Sequence, residues 1–144
     1  MSDTGIEFVL LLRAPVARVF AALTEPRHLE RWFCDRCESD PRVDGRLVLN
    51  WTGPRASGVP FEARWLEVAP PTRAAFRGGH DGYPDRDAGT VTFTLATEGS
   101  GTRLEVRHGF PAHDAYASFR REWSEAWPRA LARLTGYLSP EQPA

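Results

Sequence analysis

Few residues in this 144-residue chain have the type and spacing to do chemistry. Cys34 and Cys37 form Cys-Asp-Arg-Cys. A tetrahedral zinc site needs four ligands, and the chain has no second cysteine pair. His28 would be a third ligand, at a spacing that matches no known half-site. A thioredoxin-type pair follows a strand in a βαβ unit, which this sequence lacks. The expectation is two reduced thiols on a loop without metal. A reversible disulfide and a metal shared across a dimer are the remaining options.

His108 lies between Val106 and Phe110 on what reads as an apolar strand face. A buried imidazole must place both ring nitrogens on partners. It is therefore either a satisfied core histidine or the polar anchor for a ligand head group. A general base would need an orienting carboxylate, and none falls on an inner face. The loop Gly79–Gly89 is glycine-rich, but the chain has no lysine and a strand follows, so it is no phosphate cradle. It reads as a mobile loop near a pocket mouth or as a surface hairpin loop. No nucleophile elbow, zinc-protease motif or triad is present. No catalytic residue, cofactor or metal ligand is assigned.

The elements that would position these residues follow from periodicity. Ile6–Arg13 alternates as a strand does, with Ile6, Phe8, Leu10 and Leu12 on one face. Pro15 opens a helix bearing Val16, Val19, Phe20 and Leu23. Pro26 breaks it, and Thr24 is placed to cap a second short helix over 27–33, with Leu29, Trp32 and Phe33 inside and His28 and Glu30 outside. Strands follow at 46–52, 61–68, 72–78, 90–97 and 102–110, with turns at Gly53-Pro54 and Gly58-Val59-Pro60 and a hairpin connection at Glu98-Gly99-Ser100-Gly101. From His113 to Leu138 apolar residues recur every three or four positions, so one long amphipathic helix covers the sheet. Asp114 puts negative charge at its start, and Pro128 predicts a kink or restart. Trp123 and Trp127 lie one turn apart on its inner face, with Leu131 and Leu134 beyond. Pro128 would weaken the helix there, where Trp127 offers an apolar face and one N–H donor.

The predicted architecture is α+β: an antiparallel sheet of about six strands, strongly curved, gripping one C-terminal helix, with two short helices after the first strand. Residues 1–144 read as one domain. The inward aromatics are Trp51, Phe76, Phe93, Phe110, Phe119, Trp123 and Trp127, with Trp32 and Phe33 at one end. They either fill a core or line a pocket between helix and sheet.

Composition narrows the partners. The chain is 42% apolar and 26% charged, as ordinary globular proteins are. Eighteen basic residues balance nineteen acidic ones, which argues against nucleic acid or anionic lipid as partner. All the basic residues are arginine, and Ile6, Asn50 and Gln142 are the only residues of their types, which fits compositional bias rather than guanidinium chemistry. No apolar run is long enough to span a membrane, and the N-terminal stretch makes a poor signal peptide. A cytoplasmic protein, monomeric or homodimeric, is expected.

Five segments carry a resemblance: APVARVFAALTEPRHLERWF (14–33), VDGRLVLNW (43–51), WLEVAPPTRAAF (65–76), GTRLEVRHGF (101–110) and EAWPRALARLTGYL (125–138). In this order they resemble the SRPBCC superfamily of START-related helix-grip proteins. The closer similarity is to small bacterial members of the branch named for activator of heat shock protein 90 ATPase. Asp44-Gly45 stands for that family's Gly-Gly, and Ala126-Trp127 for its Gly-Trp. The resemblance implies a hydrophobic cavity between the long helix and the sheet, lined by the aromatics named above with His108 and Leu131. Its cargo would be a small apolar molecule, sequestered, transported or sensed. It also implies two alternatives, a chaperone cofactor acting by protein contact and a polyketide cyclase-like enzyme. The branch's eukaryotic co-chaperones carry an additional N-terminal domain, whereas this sequence starts at the first strand of the grip.

Overall fold

A computed structural model describes residues 5–52, 59–112 and 114–139. Alternating burial along β1 (Ile6–Leu12) turns Phe8 and Leu10 inward and leaves Val9 and Leu11 in solvent. Two helices follow, α1 (Val16–Thr24) and α2 (Pro26–Trp32). Pro26 occupies the first turn of α2, where its missing N–H costs nothing. The cap assigned to Thr24 is not made. Its hydroxyl donates back to the Phe20 carbonyl at 2.9 Å, inside α1, and Glu25 sits at the start of α2.

Six more strands complete the sheet: β2 (Arg36–Ser39), β3 (Arg46–Asn50), β4 (Phe61–Ala69), β5 (Arg73–Gly79), β6 (Thr90–Glu98) and β7 (Gly101–Gly109). All neighbours are antiparallel, in the order β1-β7-β6-β5-β4-β3-β2. The sheet thus has seven strands rather than about six. The addition is β2, a four-residue edge strand that pairs Cys37 with Leu49 and takes Cys37 off the expected loop. Glu98 pairs with Gly101, so Gly99 and Ser100 alone turn the chain, and Gly99 supplies the positive φ of 61° that such a turn needs. A bulge at Leu66, between Trp65 and Glu67, increases the local twist and helps curl the sheet.

The long helix α3 (Tyr116–Leu138) runs unbroken through Pro128, so no restart occurs. It begins two residues beyond Asp114, whose acidic side chain is therefore not in its first turn. Trp127, Leu131, Leu134 and Leu138 are buried among Leu47, Phe76, Phe93, Leu104 and Val106 of the sheet, with Leu23 and Leu29 closing one end. Each such side chain adds about 1.5–3 kcal/mol of burial, which holds helix to sheet. Val48, between Leu47 and Leu49 on β3, is buried too. The turn expected at Gly53-Pro54 and Gly58 and the helix start expected at His113 lie outside the described residues. Among the described residues no helix is long and apolar enough to cross a membrane.

Candidate functional site

The chain leaves α2 at Phe33, where the Leu29 carbonyl accepts both the Phe33 and Cys34 backbone N–H groups, so the helix stops and Phe33 projects toward α3. There Phe33 stacks on Trp127, ring centres 5.4 Å apart. Trp127 leans on Trp123 one turn earlier at 5.8 Å, and Trp123 meets Phe61 edge-on at 6.1 Å. Phe61 starts β4 and meets Trp51 edge-on at 6.3 Å; Trp51, just past β3, returns to Phe33 at 5.5 Å. These five rings form a closed circuit. Offset and edge-on pairs at such distances are the favoured aromatic geometries, each worth about 0.5–1.5 kcal/mol beyond burial.

The circuit lines a groove of about 740 Å³ between α2, the β3–β4 end of the sheet and α3, within the usual range for small-molecule sites. Trp32 stacks on Phe33 and joins the wall. So do His80 and Tyr83 from the glycine-rich loop. That loop is tied down. Trp123 Nε1 donates to the Tyr83 hydroxyl at 3.1 Å, and Tyr83 packs on Phe119. The Tyr116 hydroxyl donates to the carbonyls of Pro84 and Asp87, and Asp87 pairs with Arg77. Burial pushes the Tyr83 phenol above its ordinary pKa, with the charge of Glu122 adding to it. Burial also holds the His80 imidazole below its usual value.

The indole N–H groups are spent inside the protein. Trp32 donates to the Ala22 carbonyl at 2.8 Å and Trp51 to the Phe33 carbonyl at 2.6 Å. Trp65, away from the groove, donates to Ser39 Oγ at 3.1 Å. Trp127 donates to His108 Nδ1 at 3.1 Å, so the N–H expected to face a ligand is taken. The groove floor is thus a hydrocarbon surface.

His108 lies behind Trp127 and does not line the groove. It is 1% exposed, with Nδ1 accepting from Trp127 and Nε2 at 2.7 Å from the Ala88 carbonyl. A carbonyl can only accept, so the proton sits on Nε2 and the ring is neutral. Burial holds its pKa down to about 4, against a smaller upward pull from the Ala88 bond. Of the two roles considered for His108, this geometry is that of the satisfied core histidine. Phe110 stacks on it at 4.1 Å. Phe76, Phe93 and Leu131 are buried in the core, and Phe119 packs under Tyr83; none of these, nor Phe110, is on the groove wall. The structure therefore brings Trp32, Phe33, Trp51, Trp123 and Trp127 together and leaves the other six candidates elsewhere.

Sequence reasoning missed Phe61, Tyr83 and the charged rim. Phe61 was legible as the first inward residue of the Phe61, Ala63, Trp65 alternation. The rim consists of Glu30, Asp35 and Glu122 with Arg31, Arg129 and Arg133. Cys34 also lines the groove. Its thiol faces the Leu29 carbonyl at 3.7 Å, and contact with the Cys37 thiol, then burial, pushes its pKa well above the ordinary thiol range. Such a thiol stays protonated and is a poor nucleophile. His28, the third ligand considered for a metal, bonds through Nδ1 to the Tyr137 hydroxyl at 2.7 Å. No cluster of three metal-ligating side chains occurs among the described residues.

Comparison with known proteins places this geometry. No curated protein matches the chain. Protein MLL2253 from Mesorhizobium loti has the same fold at a TM-score of 0.78 and 20% identity, covering 91% of this chain and 93% of that one. CalU16 from Micromonospora echinospora aligns at a TM-score of 0.75 and 29% identity, covering 95% and 77%. The Aha1 dimer from Colwellia psychrerythraea aligns at 0.73 and 16% identity, covering 96% and 98%. The family described as activator of Hsp90 ATPase homolog 1-like protein matches residues 13–139. With that match over most of its length and the helix-grip architecture around α3, the chain belongs to the activator of Hsp90 ATPase homolog 1-like family.

Proposed function

We propose that this protein binds a small, flat, apolar molecule in the groove walled by Phe33, Trp51, Phe61, Trp123 and Trp127. The closed circuit of five rings carries this reading. Trp51 and Trp123 are half-buried, and a ligand that covers their open faces gains about 25 cal/mol per Å² of apolar area, with the buried Phe33, Phe61 and Trp127 backing them. His108 is no candidate for cyclase-like chemistry, being sealed behind Trp127 with both nitrogens occupied; the acid-base groups that border the groove are His80, Tyr83 and the rim carboxylates. Native mass spectrometry of freshly purified protein, then denaturation and identification of what is released, tests the reading. Retained apolar mass, or quenching of tryptophan emission by 9-anthracenemethanol, supports it. An empty protein whose emission and melting temperature no apolar compound changes refutes it.

The family match favours a second reading, chaperone cofactor activity by protein contact. That role predicts faster ATP turnover by an Hsp90-type chaperone on addition of this protein, independent of any groove ligand.

A further inference from the structure

The groove rim carries three arginines, Arg31, Arg129 and Arg133. Eight arginines elsewhere, from Arg27 to Arg107, lie within ion-pair distance of a carboxylate. Among the described residues, the three on the groove rim do not. Arg133 Nε donates to the Trp32 carbonyl at 2.9 Å, and its other N–H groups have no hydrogen-bond partner among the described residues. Arg31 lies over the Tyr137 ring, 5.7 Å from its centre. Arg129 is exposed and has no hydrogen-bond or ion-pair partner among the described residues. Arg129 and Arg133 are one turn apart and share a helix face.

Two of the rim carboxylates have hydrogen-bond partners of their own. Glu30 accepts from the Cys37 backbone N–H at 2.8 Å, and Asp35 accepts from the Thr52 N–H at 2.7 Å and its hydroxyl at 3.1 Å. Both are turned onto the chain itself. Glu122 lies seven residues before Arg129, about 10 Å along the helix, at the end where Tyr83 feels its charge. With every indole N–H on the floor spent internally, the cationic partners for a charged head group are the arginines of the rim.

We infer that the ligand is an anionic amphiphile, a flat apolar body bearing a carboxylate or similar oxyanion, which seats its body on the aromatic circuit and its head on Arg129, with Arg31 and Arg133 beside it. This rests on the ligand-binding reading above and specifies its ligand class. Guanidinium suits the role because it presents paired N–H donors to a carboxylate.

The test is calorimetric titration with three probes sharing one ring system: 9-anthracenecarboxylate, 9-anthracenemethanol and 9-anthracenemethylammonium. The carboxylate is expected to bind about 10-fold tighter than the alcohol at low salt, the increment of one charge-assisted contact, and the ammonium weakest. Arg129→Gln should weaken the carboxylate far more than the alcohol and so close most of the difference between them, and Arg129→Lys should restore part of it. Circular dichroism checks that each variant is folded. Equal binding of carboxylate and alcohol, tighter binding of the ammonium, or an unchanged ratio in Arg129→Gln overturns the anionic head while the groove stands. If no probe binds, both the head-group assignment and the groove reading fall.

Discussion

On one side of Trp127 the half-buried Trp51 and Trp123, with Phe33 and Phe61 beside them, line the groove; on the other, His108, Phe110 and Tyr116 are buried and do not line it. Both clusters use aromatic residues on inward faces. What separates them is covering chain. On the His108 side, the segment around Ala88 lays its carbonyl on the imidazole, and Tyr116 ties the same loop to α3. On the Phe33 side, among the described residues, the end of α2, the start of β4 and α3 border the groove. An aromatic stripe therefore becomes core or binding surface according to which neighbouring segment extends over it. Trp127, 0% exposed overall, serves both regions.

The sharpest way to break this contrast is Trp127→Ala. It removes a fully buried ring and the donor to His108, and should cost about 3–5 kcal/mol in urea unfolding. Trp51→Ala, at a half-buried groove position, should cost clearly less stability while still weakening ligand binding. If the two variants are equally destabilised, the division into core and groove is wrong.

The next effect is pH dependence. An unfolded histidine takes a proton near its ordinary pKa of 6.5, whereas folded His108 refuses it until about 4. Between these values the unfolded chain binds more protons, so stability falls as the pH drops from 6.5 toward 4. The His108 contribution is on the order of 3 kcal/mol at 1.36 kcal/mol per unit. His28 and His80 are shifted the same way and add to the slope. His108→Gln, compared with wild type by unfolding at pH 7 and pH 4.5, should show a flatter dependence. An identical slope would mean that His108 is not buried neutral.

Tyr116→Phe tests the strap that closes the His108 side. Loss of its hydroxyl contacts with the loop should cost about 1 kcal/mol and speed amide exchange around Ala88, whose N–H is bound to the Gly78 carbonyl at 2.7 Å. Exchange elsewhere in the sheet should not change. The smallest effect is expected at the surface. Arg73→Gln breaks an exposed ion pair with Glu67 at 2.8 Å and should change stability by less than about 1 kcal/mol.

The strands and α3 were legible because their inward faces repeat at periods of two and about 3.6, as Val91-Phe93-Leu95 and Trp127-Leu131-Leu134 show. β2 was not. Arg36, Cys37, Glu38 and Ser39 bury nothing fully, and pairing with β3 alone makes them a strand. The burial of His108 could be read from Val106 and Phe110, but its partners could not, since Ala88 and Trp127 reach it across 20 and 19 residues. The choice of Trp51 over Phe93 as groove wall depends on where α2 stops against α3. No local pattern encodes that crossing, and the one-turn spacing of Arg129 and Arg133 does not by itself say that they border a groove.

The central claim, that the aromatic circuit is a binding surface and not closed core, is tested most directly by the five tryptophan indole N–H resonances. In ¹⁵N-labelled protein titrated with 9-anthracenemethanol, ring currents from the bound probe should move the signals of Trp51, Trp123 and Trp127. Trp65, buried away from the groove and bonded to Ser39, should stay fixed as an internal control. Displacement of the three with Trp65 stationary is the predicted result. No displacement at saturating probe, or movement of Trp65 together with the rest, would contradict the account.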